Sequence, residues 1–257
     1  MLDVSYDGTD FSGWQRQDKV PGGSPVRTVQ AEVEGALERI LKAPVFVRAS
    51  GRTDSGVHAA HQACTFLSSN DSIPPENYER ALNSLLPKDV RVLSSSEVPL
   101  GFDARKSATS RVYRYFVQTQ VSPLATDVRY RWFVRRKPDL AALNAMCSLL
   151  KGEIDCASFA ASGDKSASTM RFLEGASFFQ DERDPHLVVF EVEANAFLWK
   201  MVRTLVGTLL WCEGKGLGAG AFEGILEARD RTKAGPTAPA CGLFLWCVKF
   251  DGLRRHV

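Results

Sequence analysis

Apolar and polar residues alternate along the first half of this chain with the periods of both strands and helices. Val4 and Tyr6 predict a strand that ends at the turn Asp7-Gly8. Spacings of three and four residues then predict a helix, capped by Thr28, with an apolar face of Val29, Val33, Leu37, Ile40 and Leu41. Short strands are predicted over residues 45–49 and 62–67, and a helix over residues 75–86, where prolines stand at its start and just beyond its end.

The second half of the chain shows a similar mixture of periods. Residues 111–117 alternate aromatic and polar side chains as a strand does, and residues 127–136 do so more loosely. A helix is predicted from residue 140 to near 152, a half-exposed strand over 187–193, a nearly all-apolar helix over 197–212 and a last strand over 242–250. This order predicts an α+β fold with two similar halves, residues 1–105 and 106–257, each a sheet with helices on one side.

Composition excludes several classes of protein. The chain of 257 residues is 44% hydrophobic and 24% charged, which is typical of a globular protein. It contains no run of about 18 apolar residues, so we expect no membrane span and, from its acidic first ten residues, no secretory signal. Six cysteines occur without a CxxC pair and without histidines at ligand spacing, so neither a metal site nor a disulfide framework is expected. We interpret them as core thiols of a cytoplasmic protein.

Charge is unevenly distributed along the chain. The net charge is only +2, yet residues 101–137 contain nine Arg or Lys against Asp103 and Asp127. Such a basic segment fits a surface that binds a polyanion, and it fits a solvated charged face equally well. Charge alone does not separate these two interpretations.

One polar octamer, residues 51–58, stands between two predicted strands and contains Asp54. Glycines at both ends allow the backbone to turn sharply and to present the Asp54 carboxylate at the end of a strand. The same pattern fits a polar turn with an Asx-type hydrogen bond, and on the pattern alone that interpretation is favoured.

The octamer resembles the signature GRTDAGVH of the TruA family of tRNA pseudouridine synthases, from which it differs only at Ser55. Further segments resemble the family in the same order along the chain: residues 6–8, 13–17, 29–30, 102–105, 107–109, 113–115, 194–197, 201–203, 206–207, 230–232 and 242–245. The chain is therefore identified as a member of that family.

Three features depart from the family pattern. Asp103 replaces a histidine often found at that position, which puts a phosphate contact there in doubt. The loop from Asp18 to Arg27 is longer than the family's compact version, and Met1 starts late in the first strand.

The resemblance implies a fold, a reaction and partners. It implies two α+β halves whose antiparallel sheets join into one extended sheet flanked by helices, with the catalytic cleft between the halves. It also implies the isomerisation of uridine to pseudouridine at positions 38, 39 and 40 of the tRNA anticodon stem-loop, by a cytoplasmic homodimer. No cofactor or metal is expected, because the reaction gains and loses no atoms.

The resemblance also implies the residues of the site. Asp54 matches the catalytic aspartate, and Arg203 matches the basic partner that would keep a carboxylate ionised away from water. Tyr113 matches the tyrosine that stacks on the target base and relays a proton, Leu243 matches the leucine on the other face of the uracil, and Arg52 matches the arginine that assists base extrusion. Arg203 could instead extend its charged end into solvent, and Tyr113 and Leu243 could be core residues.

The basic segment supplies candidates for contacts with the RNA backbone. Strand neighbours point to opposite faces, so we expect about half of the candidates to face the RNA. They are Arg105, Lys106, Arg111, Arg114, Arg129, Arg131, Arg135 and Arg136.

Other functions compete less well with the sequence. Residues 4–9 resemble a DxDGT phosphatase loop, but Ser5 stands where the nucleophilic aspartate is needed. The glycine-rich segment 214–220 follows a predicted helix, which argues against a dinucleotide or phosphate loop. The remaining alternative is a non-catalytic tRNA-binding protein of the same fold, and the presence of Asp54 and Tyr113 favours an enzyme.

Overall fold

The computed structural model describes residues 1–17, 26–70, 72–119 and 122–255. These residues form two compact units. The first unit contains Met1–Ala108 and Phe244–Asp251, and the second contains Thr109–Leu243 and the residues from Gly252 onward. The predicted halves, 1–105 and 106–257, place residues 244–251 in the second half, whereas here they belong to the first unit. Most of the longer loop noted above, residues 18–25, lies outside the described residues.

Strands and helices occur in both units, which confirms the α+β class. The strands are β1 (Leu2–Tyr6), β2 (Arg48–Ala49), β3 (His58–Thr65), β4 (Val90–Ser95), β5 (Ser110–Gln118), β6 (Trp132–Phe133), β7 (Gly152–Asp155), β8 (Met170–Gln180), β9 (Leu187–Ala194) and β10 (Leu243–Lys249). The helices are α1 (Val29–Leu41), α2 (Asn77–Asn83), α3 (Ala104–Ser107), α4 (Leu140–Cys147), α5 (Met201–Gly214) and α6 (Ala219–Ala228).

The sheet of the first unit has the strand order β4-β1-β3-β10. β1 is antiparallel to both β3 and β4, and the short β2 pairs with β3. β10 runs parallel to β3, with Phe244 opposite His58. The sheet is therefore mixed rather than purely antiparallel, which is possible because a long connection separates the two parallel strands in sequence.

Helix α1 begins where the sequence predicts. Thr28 occupies the N-cap position, as predicted, but its side chain makes no capping hydrogen bond. The buried face contains Gln30 and Glu34 among its apolar residues, while Ile40 is only half-buried. The Glu34 carboxylate accepts hydrogen bonds from the side-chain amide of Gln30 (2.8 Å) and the backbone N–H of Val47 (3.0 Å), which explains how a charged residue is accommodated there.

The sheet of the second unit has the order β5-β9-β8-β7, all antiparallel, and β6 adds to β5 in parallel. The predicted strand over 187–193 is present as β9, but it is less exposed than expected. It lies between β5 and β8, its residues from Leu187 to Phe190 are all buried, and Glu191 and Glu193 are half-buried. Strands β7 and β8 in this unit, and β4 in the first, were not predicted. In the loosely alternating segment 127–136, only Trp132 and Phe133 form a strand.

Helix α5 starts at Met201, four residues after the predicted start. Lys200 has the left-handed backbone conformation (φ 60°), which excludes it and the preceding residues from the helix. Helix α6 was not predicted because Gly220 and Gly224 disfavour a helix, but Phe222 and Ile225 bury its inner face. No helix in the described ranges is long and apolar enough to cross a membrane.

Candidate active site

Asp54 lies in a tight turn that ends where β3 begins. The backbone N–H of Val57 donates to the Asp54 carbonyl at 3.1 Å, which closes the turn. Gly56 has φ 76°, a conformation that explains why glycine stands there. The Asp54 side chain is half-buried and Arg52, in the same loop, is exposed. We call residues 51–57 the Asp54 loop.

The segment between Phe11 and Trp14 holds one side of the Asp54 loop. The carbonyl of Phe11 accepts hydrogen bonds from the Gly56 N–H (3.3 Å) and from the Ser55 hydroxyl (3.2 Å). The N–H of Trp14 donates to the Thr53 carbonyl at 3.1 Å. Ser55, the one departure from the family octamer, therefore adds a hydrogen bond within the loop's own support.

Close backbone approach explains the glycines of the opening segment. A Cβ on Gly8 would lie 2.0 Å from the carbonyl oxygen of Val57, and one on Gly13 would lie 2.7 Å from that of Thr53. Gly13 also has φ 89°. Two segments that resemble the family, residues 6–8 and 13–17, thus serve to hold the Asp54 loop.

Strand β3 holds the other side of the Asp54 loop through buried polar side chains. The amide of Gln62, which is fully buried, donates to the Gly51 carbonyl at 2.8 Å and accepts from the Ser50 hydroxyl at 2.7 Å. His58 Nδ1 accepts from the Gly8 N–H at 3.0 Å, and its ring stacks on Phe244 at 4.5 Å. Sequence reasoning missed Ser50, Gln62 and His58 as supports. Their signal was the presence of polar side chains in and beside the predicted strands over 45–49 and 62–67.

Tyr113 lies on β5 in the second unit and is only 8% exposed. Its ring packs edge-on against Phe197, with 5.0 Å between centroids and 82° between planes. Phe197 precedes α5, so the aromatic contact ties β5 to the segment that leads into that helix.

Arg203 lies in the first turn of α5 and is half-buried. Its Nε donates to the carbonyl of Ala238 at 2.8 Å, and the N–H of Ala238 donates to the Arg203 carbonyl at 3.0 Å. The guanidinium is thus oriented by the segment 235–239 rather than extended freely into solvent.

Leu243 is positioned by the same part of the second unit. The Tyr115 hydroxyl donates to the Pro239 carbonyl at 2.8 Å, and a Cβ on Gly242 would lie 2.7 Å from the Tyr115 ring. Burial raises the pKa of Tyr115, so its phenol stays protonated and remains a donor. Leu243 follows Gly242 directly and is 5% exposed.

The predicted site residues divide between the two units. Asp54 and Arg52 share one loop of the first unit, whereas Tyr113, Arg203 and Leu243 belong to the second. Within the second unit, Phe197 and the segment 235–239 connect β5, the start of α5 and the start of β10. The cleft between the halves and the pairing of Arg203 with Asp54 stay predictions.

Asp103, the residue that departs from the family, has a structural role in the first unit. Its carboxylate accepts from the backbone N–H groups of Arg105 (2.9 Å) and Lys106 (3.0 Å) and thereby caps α3. It also bonds to Arg48 at 3.2 Å. The Lys106 N–H, followed by these other contacts, lowers the pKa of Asp103 although its burial opposes the shift. The side chains of Arg105 and Lys106 are exposed.

Two basic candidates on β5 contact acceptors of their own unit. Arg111 donates to the Asn195 carbonyl at 2.7 Å. Arg114 pairs with Glu191 on the neighbouring β9 at 2.6 Å and lies over the Phe179 ring. Contact of either side chain with phosphate stays a prediction.

The remaining basic candidates follow β5. Arg131 donates to Gln118 (2.7 Å) and to Asp184 (3.1 Å), so it links β6 to β5 and to the loop before β9. Arg136 pairs with Glu213 of α5. Arg129 and Arg135 are exposed. Their contacts with RNA likewise stay predictions.

Cysteines and possible metal ligands are dispersed in the described residues. No group of three or more His, Cys, Asp or Glu side chains in these ranges could hold a metal ion. All six cysteines are free thiols, and four of them, Cys64, Cys147, Cys156 and Cys212, are buried.

Comparisons with known proteins identify the family of this chain. The family model described as tRNA pseudouridine synthase matches residues 4–105 and 146–251. Relatives named tRNA pseudouridine synthase A occur in Treponema denticola (49% identity, covering 97% of this chain and 92% of the relative) and in Chlorobaculum tepidum (40% identity, 97% and 96%). An archaeal box H/ACA sRNP Nop10-Cbf5 complex is a weak structural match (TM-score 0.33, 13% identity, 88% of this chain and 60% of that chain) and supports no conclusion.

The family model covers Arg52, Asp54, Arg203 and Leu243 but not residues 106–145, which contain Tyr113, whereas the two relatives match 97% of the chain. The protein is therefore of the pseudouridine synthase class. It belongs to the tRNA pseudouridine synthase family, as its sequence predicts.

Proposed function

We propose that this protein isomerises uridine to pseudouridine in tRNA and that Asp54 is its catalytic carboxylate. The observation that carries the proposal is the Asp54 loop, which belongs to a chain of this family and whose backbone is held on both sides. Gly51 and Thr53 each accept a hydrogen bond from outside the loop, and Gly56 donates one. Because its backbone is constrained, this carboxylate is positioned before the substrate binds. Such prior positioning of a catalytic group lowers the barrier to reaction.

The reaction needs no redox change. The N1–C1′ bond of uridine breaks, the uracil turns, a C5–C1′ bond forms, the proton on C5 leaves, and N1 gains a proton. A carboxylate beside the sugar or the base can assist these steps as nucleophile or base, and the detached uracil must be held until the new bond forms. We assign these two tasks to different residues.

The residues of the second unit suit the holding of the base. Tyr113 presents an aromatic ring that can stack on uracil and a phenol that can relay a proton. Leu243 offers an apolar surface for the opposite face. Arg203 supplies a positive charge that pairs with the Asp54 carboxylate, and Arg52, exposed beside Asp54, fills the space left by the extruded base.

The proposal extends to substrate position and assembly. The targets are positions 38, 39 and 40 of the anticodon stem-loop, and the enzyme acts as a homodimer in the cytoplasm. Support for the tRNA comes from the family and from the names of its relatives. The basic segment 101–137 supports binding of the RNA backbone.

Tritium release tests the proposal directly. tRNA labelled with tritium at uridine C5 loses the label only when the C5 proton is exchanged, so release measures turnover. We expect Asp54→Ala and Asp54→Asn to reduce the single-turnover rate by at least about a thousandfold, while tRNA binding stays within about threefold of wild type. Asp251→Asn, which removes an exposed carboxylate elsewhere in the first unit, serves as the matched control.

The outcomes separate an enzyme from a tRNA-binding protein of the same fold. Release by wild type and its loss in both Asp54 variants support the proposal. Binding by wild type without release would favour the non-catalytic alternative, and an undiminished rate in Asp54→Ala would reject the role of that residue. Positions 38–40 are then tested by mapping pseudouridine in tRNA from a deletion strain that carries either the wild-type gene or the Asp54→Ala gene.

A further inference from the structure

Trp199 is an exposed tryptophan two residues before the start of α5. It is 46% exposed, although tryptophan side chains are on average highly buried. It lies in the turn that leads into α5, in the same unit as Tyr113. Nearly half of its surface is accessible to solvent.

The backbone of Trp199 is fixed on both sides by one loop. Its N–H donates to the Asp164 carboxylate at 2.5 Å, and its carbonyl accepts from the Ala161 N–H at 3.0 Å. The Asp164 carboxylate also accepts from the Ser166 N–H at 2.8 Å, so the loop itself is closed. These hydrogen bonds fix the backbone from which the half-exposed indole extends.

Lys200 adds a positive charge beside the indole. Its ammonium nitrogen lies 4.7 Å from the centroid of the Trp199 ring. Lys200 also has φ 60°, a backbone angle that is unfavourable for residues other than glycine, asparagine and aspartate. Such backbone conformations also end helices in this structure, at Lys42 and Arg229, but they are enriched at functional sites.

The Trp199–Lys200 pair adjoins residues of the proposed active site. Phe197, two residues earlier, packs edge-on against Tyr113. Arg203 follows on the first turn of α5. A nucleotide next to the target uridine would be close to this turn if the target base stacks on Tyr113.

We propose that Trp199 and Lys200 form a binding site for an unstacked nucleotide of the tRNA, distinct from the pocket for the target uridine. The indole stacks on the base and the ammonium group contacts the adjoining phosphate, a combination typical of sites for single-stranded RNA. The proposal rests on the proposed function, because it takes the tRNA from it. It adds a second contact that increases affinity without taking part in bond breaking.

Binding of tRNA by matched tryptophan variants tests this site. Trp199→Ala should weaken tRNA binding about tenfold, the effect of losing one stacked base, while Trp199→Phe should stay within about threefold of wild type. Trp211→Ala, at the other end of α5 and 37% exposed, is the control and should bind as wild type does. The tritium-release rate at saturating tRNA should remain within about threefold in all three variants.

A second pair of measurements separates stacking from charge. Lys200→Asn removes the charge while keeping a residue that tolerates the left-handed conformation. It should weaken tRNA binding and reduce the slope of log affinity against log salt by about one. Heparin, a polyanion without bases, should bind Trp199→Ala as tightly as wild type.

Each outcome bears on one proposal only. Wild-type tRNA affinity in Trp199→Ala, an equal loss in Trp211→Ala, or a changed oligomeric state with unchanged tRNA binding would overturn the nucleotide site. If wild type bound tRNA but released no tritium, the proposed function would fail while the binding measurements still decided the fate of this site.

Discussion

The hydroxyl groups of Tyr6 and Thr53 lie 2.7 Å apart in the interior of the first unit. Tyr6 ends β1, and Thr53 directly precedes Asp54. The hydrogen bond therefore links the central region of a sheet to the residue next to the proposed catalytic carboxylate, and it does so where water does not compete.

Tyr6→Phe should reduce activity through this link. The variant leaves the Thr53 hydroxyl without its buried partner, and we expect a loss of about 1 kcal/mol in unfolding free energy. Because the Asp54 loop gains freedom, the single-turnover rate of tritium release should fall about three- to tenfold, with little change in tRNA affinity.

Tyr78→Phe is the matched control for that prediction. Tyr78 is also buried, and its hydroxyl bonds to Ser68 at 2.6 Å, away from the Asp54 loop. It should lose similar stability in urea unfolding and keep wild-type activity. Equal rates in the two variants would show that the link to Thr53 has no bearing on catalysis.

Gly13→Ala should be more damaging than its backbone angle alone implies. The new Cβ would lie 2.7 Å from the Thr53 carbonyl oxygen, so either segment must shift. Gly101→Ala introduces the same left-handed strain (φ 97°) with nothing within 4 Å. We expect about 1–2 kcal/mol of destabilisation from the strain in both variants.

The comparison of the two glycine variants isolates the steric contact. Gly13→Ala should lose about 1–3 kcal/mol more stability than Gly101→Ala and at least tenfold in single-turnover rate. Urea unfolding and tritium release measure the two effects. Identical stability and activity in both variants would mean that the Asp54 loop accommodates the methyl group freely.

Sequence patterns predicted some elements and missed others for physical reasons. β5 was predicted because its aromatic and polar residues alternate, and α1 because its apolar spacing is helical. β9 was assigned a half-exposed position because Glu191 and Glu193 alternate with apolar residues. Those glutamates instead pair with Arg114 and the Ser110 hydroxyl of the adjacent strand. A pattern of polarity does not reveal such a partner.

The candidate site shows the same limit. Asp54 and its loop could be identified because glycines and an aspartate stand at fixed spacing. The support from Tyr6 and Phe11 could not, because it depends on contacts between residues distant in sequence and on a backbone carbonyl, which no residue type marks.

Arg203→Ala should impair chemistry more than tRNA binding. If Arg203 keeps Asp54 ionised, its removal should lower the single-turnover rate at least a hundredfold while tRNA affinity changes less than about threefold. The control is Arg231→Ala, since Arg231 also donates to the segment 235–239, through Thr237 at 3.0 Å. Comparable losses of affinity and rate in Arg203→Ala would remove it from the catalytic centre.

Tyr113→Phe separates stacking from proton transfer. The ring and its contact with Phe197 remain, so tRNA affinity should be unchanged. If the hydroxyl transfers a proton, the single-turnover rate of tritium release should fall tenfold or more. Tyr115→Phe removes a neighbouring hydroxyl that bonds to the Pro239 carbonyl; it should cost about 1–3 kcal/mol of stability and leave the chemical step within about threefold of wild type. Wild-type turnover by Tyr113→Phe would limit Tyr113 to stacking.

Buried thiols should make the protein's cysteine reactivity strongly selective. Burial raises the pKa of Cys64, Cys147 and Cys156 to about 12, so at pH 8 these groups are almost entirely neutral thiols and poor nucleophiles. Iodoacetamide at pH 8 should therefore modify the half-buried Cys247 first in the folded protein and all six cysteines only after unfolding.

The same rise in the thiol pKa has a consequence for stability. A group whose folded pKa is raised favours the folded state fully below its unfolded value of 9.0, and this contribution is lost as pH rises from about 9 towards about 12. Mass spectrometry of tryptic peptides measures the modification, and rapid labelling of Cys64 in the folded protein at pH 8 would contradict the predicted burial of the first unit's core.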